Sequence, residues 1–450
     1  MALVVRSTSH WRGLLWCALV LLLAGSHPAH AQLVRQAVGG VSIDATGVVN
    51  NLRAAELDAL RQQRAKAMHP VPGDLQAQTL RKISLRRLEA AIADHRAGGK
   101  PLSDELRYLA GMQRVEYVFV YPDQNDIVLA GPGEGWKLSA QGEVVGVTTG
   151  HPVLLLDDLL VALRSIENTR SSGITCSIDP TAEGLARLQA LVKRLPPVNG
   201  DVSPVLSAIE QSLGSQKITV GGVPATSHFA GVLVAADYRM KRLAMGFDPS
   251  PLKALPSFMQ MLKSAGKPPK NMLPRWWLAP DYDALTTAEE GLAWEIPAGT
   301  VAAQTEEEFI SAAGQRQGSG KAHPLAKKWA DTLTAHFDEL AEHEPIFGQL
   351  RNCMNLAVVA ALLAEHHLAD KCGWNMPLLL NPDLATESYH AATSVDSQAS
   401  ALQKGSTWII SASGGIQFNP WAALDMPREN AALPATRARC AGSGPHWWWN

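Results

Sequence analysis

Apolar and polar positions along this chain repeat in two rhythms, one of period two and one of three to four, and the changes between them mark out its elements. Val38 to Val49 (VGGVSIDATGVV) predicts a short strand, a turn and a second strand. Leu52 to Ala67 carries apolar residues at helical spacing. Leu75 to His95 sets Leu80, Ile83, Leu88 and Ile92 on one side with arginines opposite, so both stretches are expected to be amphipathic helices. Between Val115 and Val147 the rhythm shifts to two. VEYVFVYP and DIVLAGP flank the turn-forming Asp123-Gln124-Asn125-Asp126, and GWKLSAQGEVVGV turns at Gln141-Gly142. Together they predict a three- or four-stranded antiparallel sheet.

Asp157 is expected to cap the helix DLLVALRSI. ITCSI reads as a buried strand, followed by a helix with Asp179 as its cap and Pro180 at its first position. A second helix covers Val202 to Leu213, and Lys217 to Val223 is a strand. SHFAGVLVAADYRMKRLAMG reads as a helix: Phe229, Val232, Leu233, Ala236, Met240 and Leu243 fall at steps of three and four, Ser227 is its N-cap and Gly246 its C′ residue. Leu252 to Lys270 predicts a helix and a basic loop. Arg275-Trp276-Trp277-Leu278 and Leu292 to Ile296 begin strands, and Thr305-Glu306-Glu307-Glu308 has the form of a capping box.

Gln315 to Lys321, rich in Gly, Gln and Ser, is the best boundary in the chain. Two helices, Leu325 to His343 and Ile346 to Leu368, follow as a hairpin broken at Pro345. Leu378 to Leu402 is polar and irregular, Thr407 to Asn419 predicts a β-hairpin around Gly414-Gly415, and the final stretch reads as a loose tail. GGVSID near the start and GGIQFN near the end share a pattern that suits neighbouring strands. The expected fold class is α+β: antiparallel strands packed with helices, plus a C-terminal helical hairpin. The expected segments are a leader (1–31), an N-terminal strand pair with helices (32–110), an α+β core (111–314), the helical hairpin (322–370), and an irregular segment with a terminal hairpin and tail (371–450).

The leader differs from the rest in character. Arg6, His10 and Arg12 make a positive start, Leu14 to Ala24 is an uncharged apolar run, and Ala29-His30-Ala31 places small residues where a signal peptidase reads, so a cleavable secretory signal is expected. The run is shorter than the ~20 residues a membrane span needs, and Trp16 before Cys17 does not suit a lipid anchor. Met354 to Ala364 is about half a span and reads as a buried helix, so no span is expected after cleavage. The mature chain is expected in the periplasm or outside the cell.

Charge is nearly balanced, with 40 Lys and Arg against 42 Asp and Glu. No basic stripe or acidic tail recommends nucleic acid as a partner. Four cysteines remain after cleavage, Cys176, Cys353, Cys372 and Cys440, and four allow three pairings. If the helix through Cys353 ran on to Cys372, the two would stand ~28 Å apart, far beyond the ~7 Å reach of a disulfide. Cys372 with Cys440 is the better-placed bridge, and Cys176 and Cys353 are expected to be buried thiols.

Most candidate chemistry fails on spacing. GPGEGW (131–136) lacks G-x-G-x-x-G and joins two strands; GQRQGSGKA (314–322) lacks P-loop spacing and the hydroxyl residue after Lys321. His336, Glu339 and His343 share a helix face, but the two histidines are about two turns apart, too far for one metal to bridge readily. Glu365, His366, His367 and Asp370 close a helix whose exposed carbonyls account for the histidines. No C-x-x-C and no G-x-S-x-G elbow occur, and Cys353 adjoins an apolar run suited to an inert thiol. No cofactor and no metal are expected. Trp136, Arg275, Trp276, Trp277 and Trp294 remain as candidate ligand-binding residues, because aromatic platforms stack on sugars and peptides while an arginine fixes orientation. The plainer account is that these tryptophans fill the core.

YVFVYPDQNDIVLAGPGEGW, LDDLLVALR, ITCSIDPTAEGLARLQ, VLVAADYRMKRLAMGFDPSP, PRWWLAP and EPIFGQLRNCMNLAVVAALL occur in this order and together resemble a family of exported bacterial proteins known only as a domain of unknown function. The similarity spans Val38 to Leu368. It implies export and a globular fold, and it assigns no activity. Two function classes are carried forward. One is a non-enzymatic binding or scaffolding protein of the bacterial envelope, with an envelope protein or a glycan as partner. The other is a periplasmic hydrolase acting on cell-wall or polysaccharide material. A deep cleft holding several close titratable groups counts against the first, and tryptophans lining a groove beside paired carboxylates favour the second.

Overall fold

A computed structural model describes residues 36–69, 71, 75–195, 201, 203–265, 274–310, 316–399, 401–404, 407–410, 413–441 and 448–449. The expected leader, the end of the basic loop at Lys270 and residues 311–315 lie outside the described residues.

Val41–Ile43 (β1) and Val49–Asn51 (β2) form the expected hairpin, and Ala54–Ala67 (α1) the expected helix. Leu75 to His95 is not one helix. Gln78–Ser84 (β3) is a strand, and Leu85–Ala97 (α2) begins only after Ser84, whose hydroxyl accepts from Arg87 N. The three-residue step from Leu80 to Ile83 suits a helix, but tertiary pairing overrides it: β3 lies antiparallel beside residues 126–133 and buries Ile83. Tyr117–Tyr121 (β4) and Asp126–Gly133 (β5) turn through Asn125 at φ 49°. Trp136–Leu138 (β6) and Val144–Gly146 (β7) turn through Gly142 at φ 83° and stand apart as a two-stranded sheet.

Leu156–Ser165 (α3) starts after Leu155, so Asp157 and Asp158 lie inside its first turn. Ile174–Asp179 (β8) is the expected buried strand, but Thr181 rather than Asp179 caps Ala182–Val192 (α4), accepting from Gly184 N. Ser203–Leu213 (α5), Ser215–Gly221 (β9) and His228–Met245 (α6) follow. The bounds of α6 are those expected: Ser227 Oγ accepts from Ala230 N, and Gly246 ends the helix at φ 71°. Phe258–Ser264 (α7) is short.

Pro274–Asp281 (β10), Thr286–Ala288 (β11) and Ala293–Glu295 (β12) precede Thr300–Ile310 (β13), which runs antiparallel to β10. The expected capping box therefore lies in mid-strand. Thr305 stands opposite Trp276 and Glu306 opposite Arg275, so cross-strand pairs outweigh the local helix signal. Arg316–Gly318 (β14) folds back on β13, making these residues of the expected linker a sheet edge. Pro324–Ala335 (α8), Phe337–His343 (α9) and Pro345–Glu365 (α10) give the helical hairpin, with an added break at His336.

Ser394–Asp396 (β15) comes next, then Ala401–Lys404 (β16), Thr407–Ile410 (β17) and Ser413–Phe418 (β18). The expected terminal hairpin does not form, because β17 pairs with β16 while β18 inserts between β10 and β8. Gly415 permits this insertion; a Cβ there would stand 2.1 Å from the Cys176 carbonyl oxygen. The two Gly-Gly segments are consequently not neighbours. Nor is the described part of the tail loose: Arg428–Glu429 (β19) joins β11, Leu433–Cys440 (α11) packs near β12, and Tyr121 Oη donates to Arg437 O at 2.6 Å.

Two larger sheets result, in the orders β14-β13-β10-β18-β8-β9-β15 and β19-β11-β12-β4-β5-β3, antiparallel except at β10–β18 and β11–β19. The fold is α+β. Helices α3, α6 and α10 pack on one another inside a buried apolar cluster that runs from Val38 to Trp449, through every expected segment of the mature chain. Although α10 is long and apolar enough to cross a membrane, its apolar window is 94% buried. Its polar row at steps of three is tied down through the amide nitrogens: Gln349 Nε2 donates to Glu143 at 2.8 Å, Asn352 Nδ2 to Pro152 O at 3.0 Å, and Asn355 Nδ2 to Val115 O at 3.0 Å. All four described cysteines are buried free thiols, so the expected Cys372–Cys440 bridge is not formed. Cys372 Sγ donates to Ala369 O, while Cys440 sits in a separate small cluster with Phe119 and Tyr121.

Candidate functional site

Where the first turns of α3 and α6 meet the β6–β7 hairpin and residues 385–389, the fold forms a half-open cavity of about 490 Å³. That volume lies in the range of small-molecule sites. The elements around it are distant in sequence: α1 contributes Arg64, the hairpin Glu143, α3 Asp157, α6 His228 and α10 Gln349.

An ion pair forms its floor. His228 opens α6 directly after the cap Ser227, where the helix dipole disfavours a cation. Asp158 compensates from the first turn of α3: both its oxygens lie 3.0 Å from His228 Nδ1, and the two residues are only 5% and 6% exposed. A carboxylate can only accept, so Nδ1 carries the hydrogen. Nε2 has no hydrogen-bond partner among the described residues and is left to the cavity that His228 lines. Burial works against the imidazolium, but the charge and hydrogen bond of Asp158, with help from Glu143, outweigh it and hold the group above its ordinary value. The ring of Tyr389 meets His228 edge-on at 5.6 Å.

A second charged pair stands in the wall. Glu143 accepts from Gly39 N at 3.0 Å and from Gln349 Nε2, and lies 3.4 Å from Arg64 Nη1. Arg64 is fixed in turn by the carbonyls of Gly142 and Ala37, at 2.8 and 2.7 Å. Asp157 is the third carboxylate. Its Oδ2 accepts from Glu387 N at 3.0 Å, and no salt bridge reaches it among the described residues. Burial pushes its carboxyl above the usual carboxylate range, only partly relieved by the Glu387 amide, and the neighbouring Asp158 adds to the rise.

The segment that carries Glu387 and Tyr389 is held in place. Arg164 donates to Leu379 O and Leu384 O, both at 2.9 Å, Glu89 accepts from Leu379 N at 2.7 Å, and Tyr389 N donates to Thr226 O at 2.8 Å. Side chains locked by neighbours in this way make a preorganised wall.

The five residues singled out in the sequence lie elsewhere. Trp276 is fully buried between Phe258 and Trp329, at 4.9 and 5.0 Å, and donates Nε1 to Ala326 O at 3.3 Å. Trp277 is half-buried under Arg275, whose Nη1 lies 3.1 Å from Glu306. Trp294 is buried, donates Nε1 to Gly291 O at 2.9 Å and lies 4.3 Å from the His366 ring. Trp136 is buried and backs the cavity-lining Tyr108 edge-on at 5.3 Å. The tryptophans occupy three different sheets, and none lines the cavity. His336 is engaged by Glu339 at 3.1 Å, and no group of three or more His, Cys, Asp and Glu is placed to hold a metal among the described residues. Burial, with the Asp158 charge behind it, holds the Cys353 thiol well above its ordinary value, the state of an inert thiol.

His228, Asp158, Asp157 and Glu143 escape a reading of the sequence, yet two signals point to them. A histidine at the start of a helix is on the wrong end of the dipole and calls for an anion. A second aspartate in LDDLLVAL is more than a cap requires, and it falls on the helix's core side.

No curated protein and no solved structure matches the chain. Residues 176–258, a narrower stretch than the phrases of the sequence suggest, match a family described as protein of unknown function (DUF1598), so the unit from β8 through α6, which carries His228 but not Asp158, is a domain of unknown function.

Proposed function

We propose that this chain is an exported binding protein of the bacterial envelope and that it binds a small molecule in the cavity above His228. The observation that carries the reading is a buried imidazole with its second nitrogen left unpartnered among the described residues beside a half-open cavity. A buried ion pair adds little net stability compared with apolar packing, so its presence there argues for use rather than for folding. The leader supports export. The cavity does hold several close titratable groups, the feature that counts against a non-enzymatic protein. Most of those groups neutralise one another, however: Asp158 with His228, and Glu143 with Arg64. Binding therefore fits better than a multi-residue reaction, and a glycan partner loses its stacking platform because the tryptophans lie apart and away from the cavity.

A thermal-shift screen of the mature chain tests this, with Leu138→Trp as a variant whose cavity is filled. A ligand at ~100 times its Kd stabilises by about 2.7 kcal/mol. Hits that raise the melting temperature of the wild type but not of the variant are expected; hits that act equally on both refute the site. Intact mass of secreted material is expected to show a chain beginning near Gln32, and retention of Met1 refutes export.

One observation favours the hydrolase as a second reading. A histidine whose Nδ1 is held by a carboxylate while Nε2 meets a cavity has the arrangement of a general base. Turnover of a glycan or peptide that disappears in His228→Gln would establish it.

A further inference from the structure

We infer that the cavity takes a small neutral molecule with a carbonyl oxygen on an apolar body, the oxygen accepting a hydrogen bond from His228 Nε2; this rests on the ligand-binding reading above. The floor supplies the donor. Asp158 takes the Nδ1 hydrogen of a buried imidazolium, so the Nε2 hydrogen is the one still to be satisfied. It meets the cavity with no partner among the described residues. A buried, charged donor without an acceptor is costly, and a ligand that brings one removes that cost.

The charges around this donor set the charge of the ligand. Asp158 lies with His228 and Glu143 with Arg64. Asp157 has Arg164 behind it, whose charge acts on it and whose Nη2 is buried without a hydrogen-bond partner. At the rim Arg107 and Glu387 carry opposite signs. Each carboxylate therefore has a cation to match it. An ammonium ligand would set its own hydrogens against the Nε2 hydrogen. A carboxylate ligand would accept, but it would add an uncompensated negative charge among Asp157, Asp158 and Glu143. A ketone, ester or amide oxygen accepts and leaves the balance unchanged, and Leu102, Leu138 and Val153 offer the apolar body its contact surface. Such an oxygen selects the charged imidazole, because loss of the Nε2 hydrogen leaves a lone pair facing it. A bound carbonyl thus raises the proton affinity of His228 still further above its ordinary value. Asp157 and Asp158 act on the ring from α3, Glu143 from the hairpin, Arg64 from α1 and Tyr389 from the 385–389 segment, so its titration is best followed on His228 itself.

Calorimetric titration of the mature chain at pH 6 with hexan-2-one, hexanoate and hexylammonium tests the inference, since all are six-carbon chains with different polar ends. Hexan-2-one is expected to bind at least about tenfold more tightly than either of the others. It is expected to lose that advantage when His228→Leu and Asp158→Leu are combined, a change that removes both charges and leaves neither buried alone. Hexanoate or hexylammonium binding as tightly as hexan-2-one overturns the carbonyl while leaving the ligand site standing. Binding of none of the three, or hexan-2-one binding equally well to Leu138→Trp, removes both. Should the double variant fail to fold, the wild type still decides. The His228 ring resonance is expected to titrate at higher pH with saturating hexan-2-one than without it, and an unchanged or lower value overturns Nε2 as the donor.

Discussion

Asp158→Asn removes the counter-charge of His228 while nearly preserving its shape, and its effect can be worked out from the geometry. At 3.0 Å and an effective dielectric constant of ~20, the two charges attract by roughly 5 kcal/mol. Desolvation of both ions cancels much of that, so a double-mutant cycle with His228→Gln is expected to give a coupling of about 1–3 kcal/mol. The single change is larger, about 3–5 kcal/mol, because it leaves a buried charge uncompensated. Its pH dependence has a definite sign. His228 is held above its ordinary value of ~6.5 in the folded chain. The pair's contribution is therefore complete below that ordinary value and is lost as pH rises through the higher folded value. Urea unfolding followed by tryptophan fluorescence from pH 5 to pH 9 is the assay. The gap in stability between wild type and Asp158→Asn is expected to narrow as pH rises. A gap that stays constant over this range, or a coupling below about 0.5 kcal/mol, refutes a charged His228–Asp158 pair.

Asp237, fully buried on α6 and 3.0 Å from Lys241 Nζ, is pushed up from 3.8 to about 6, because burial outweighs the lysine. Its contribution is complete below the unfolded value and is lost as pH rises through the folded one, so Asp237→Asn is expected to flatten the stability curve between those two values in urea titrations. Trp276→Ala, which empties the space between Phe258 and Trp329, is expected to destabilise by about 3–5 kcal/mol on denaturant unfolding. A neutral result there would return Trp276 to the ligand-binding candidates. Thiol titration of a chain beginning at Gln32, without reductant, is expected to count four cysteines in denaturant and almost none in the native state, whereas a Cys372–Cys440 bridge would leave two.

The helices with both ends signalled are those the sequence places well. In α6, Ser227 and Gly246 bracket a run of apolar residues at helical steps, and local chemistry agrees with packing. Where the two disagree, packing wins. Gln78–Ser84 carries a helical step from Leu80 to Ile83, yet a strand partner is available and Ser84 delays the helix. Thr305-Glu306-Glu307-Glu308 can cap a helix, yet β10 pairs with Thr305, Glu306 and Glu307 and β14 with Glu308. Gly414-Gly415 reads as a turn, although Gly415 is needed for close approach to Cys176, a contact no local pattern reveals. The candidate site is hidden for the same reason. Arg64, Glu143, Asp158, His228 and Tyr389 each look ordinary in their own segments, and their meaning comes from long-range packing that sets four of them around one space with Asp158 behind His228. The tryptophans draw the eye because they are rare and large, and those properties suit a core as well as a surface.

The most direct test of the account is the imidazole resonance of His228 in NMR spectra of the mature chain, assigned by its disappearance in His228→Gln and followed while a stabilising ligand is added. The account predicts a ring that titrates above the ordinary histidine value without ligand and shifts in step with occupancy. A resonance that does not respond to any ligand able to raise the melting temperature would place binding elsewhere and contradict it.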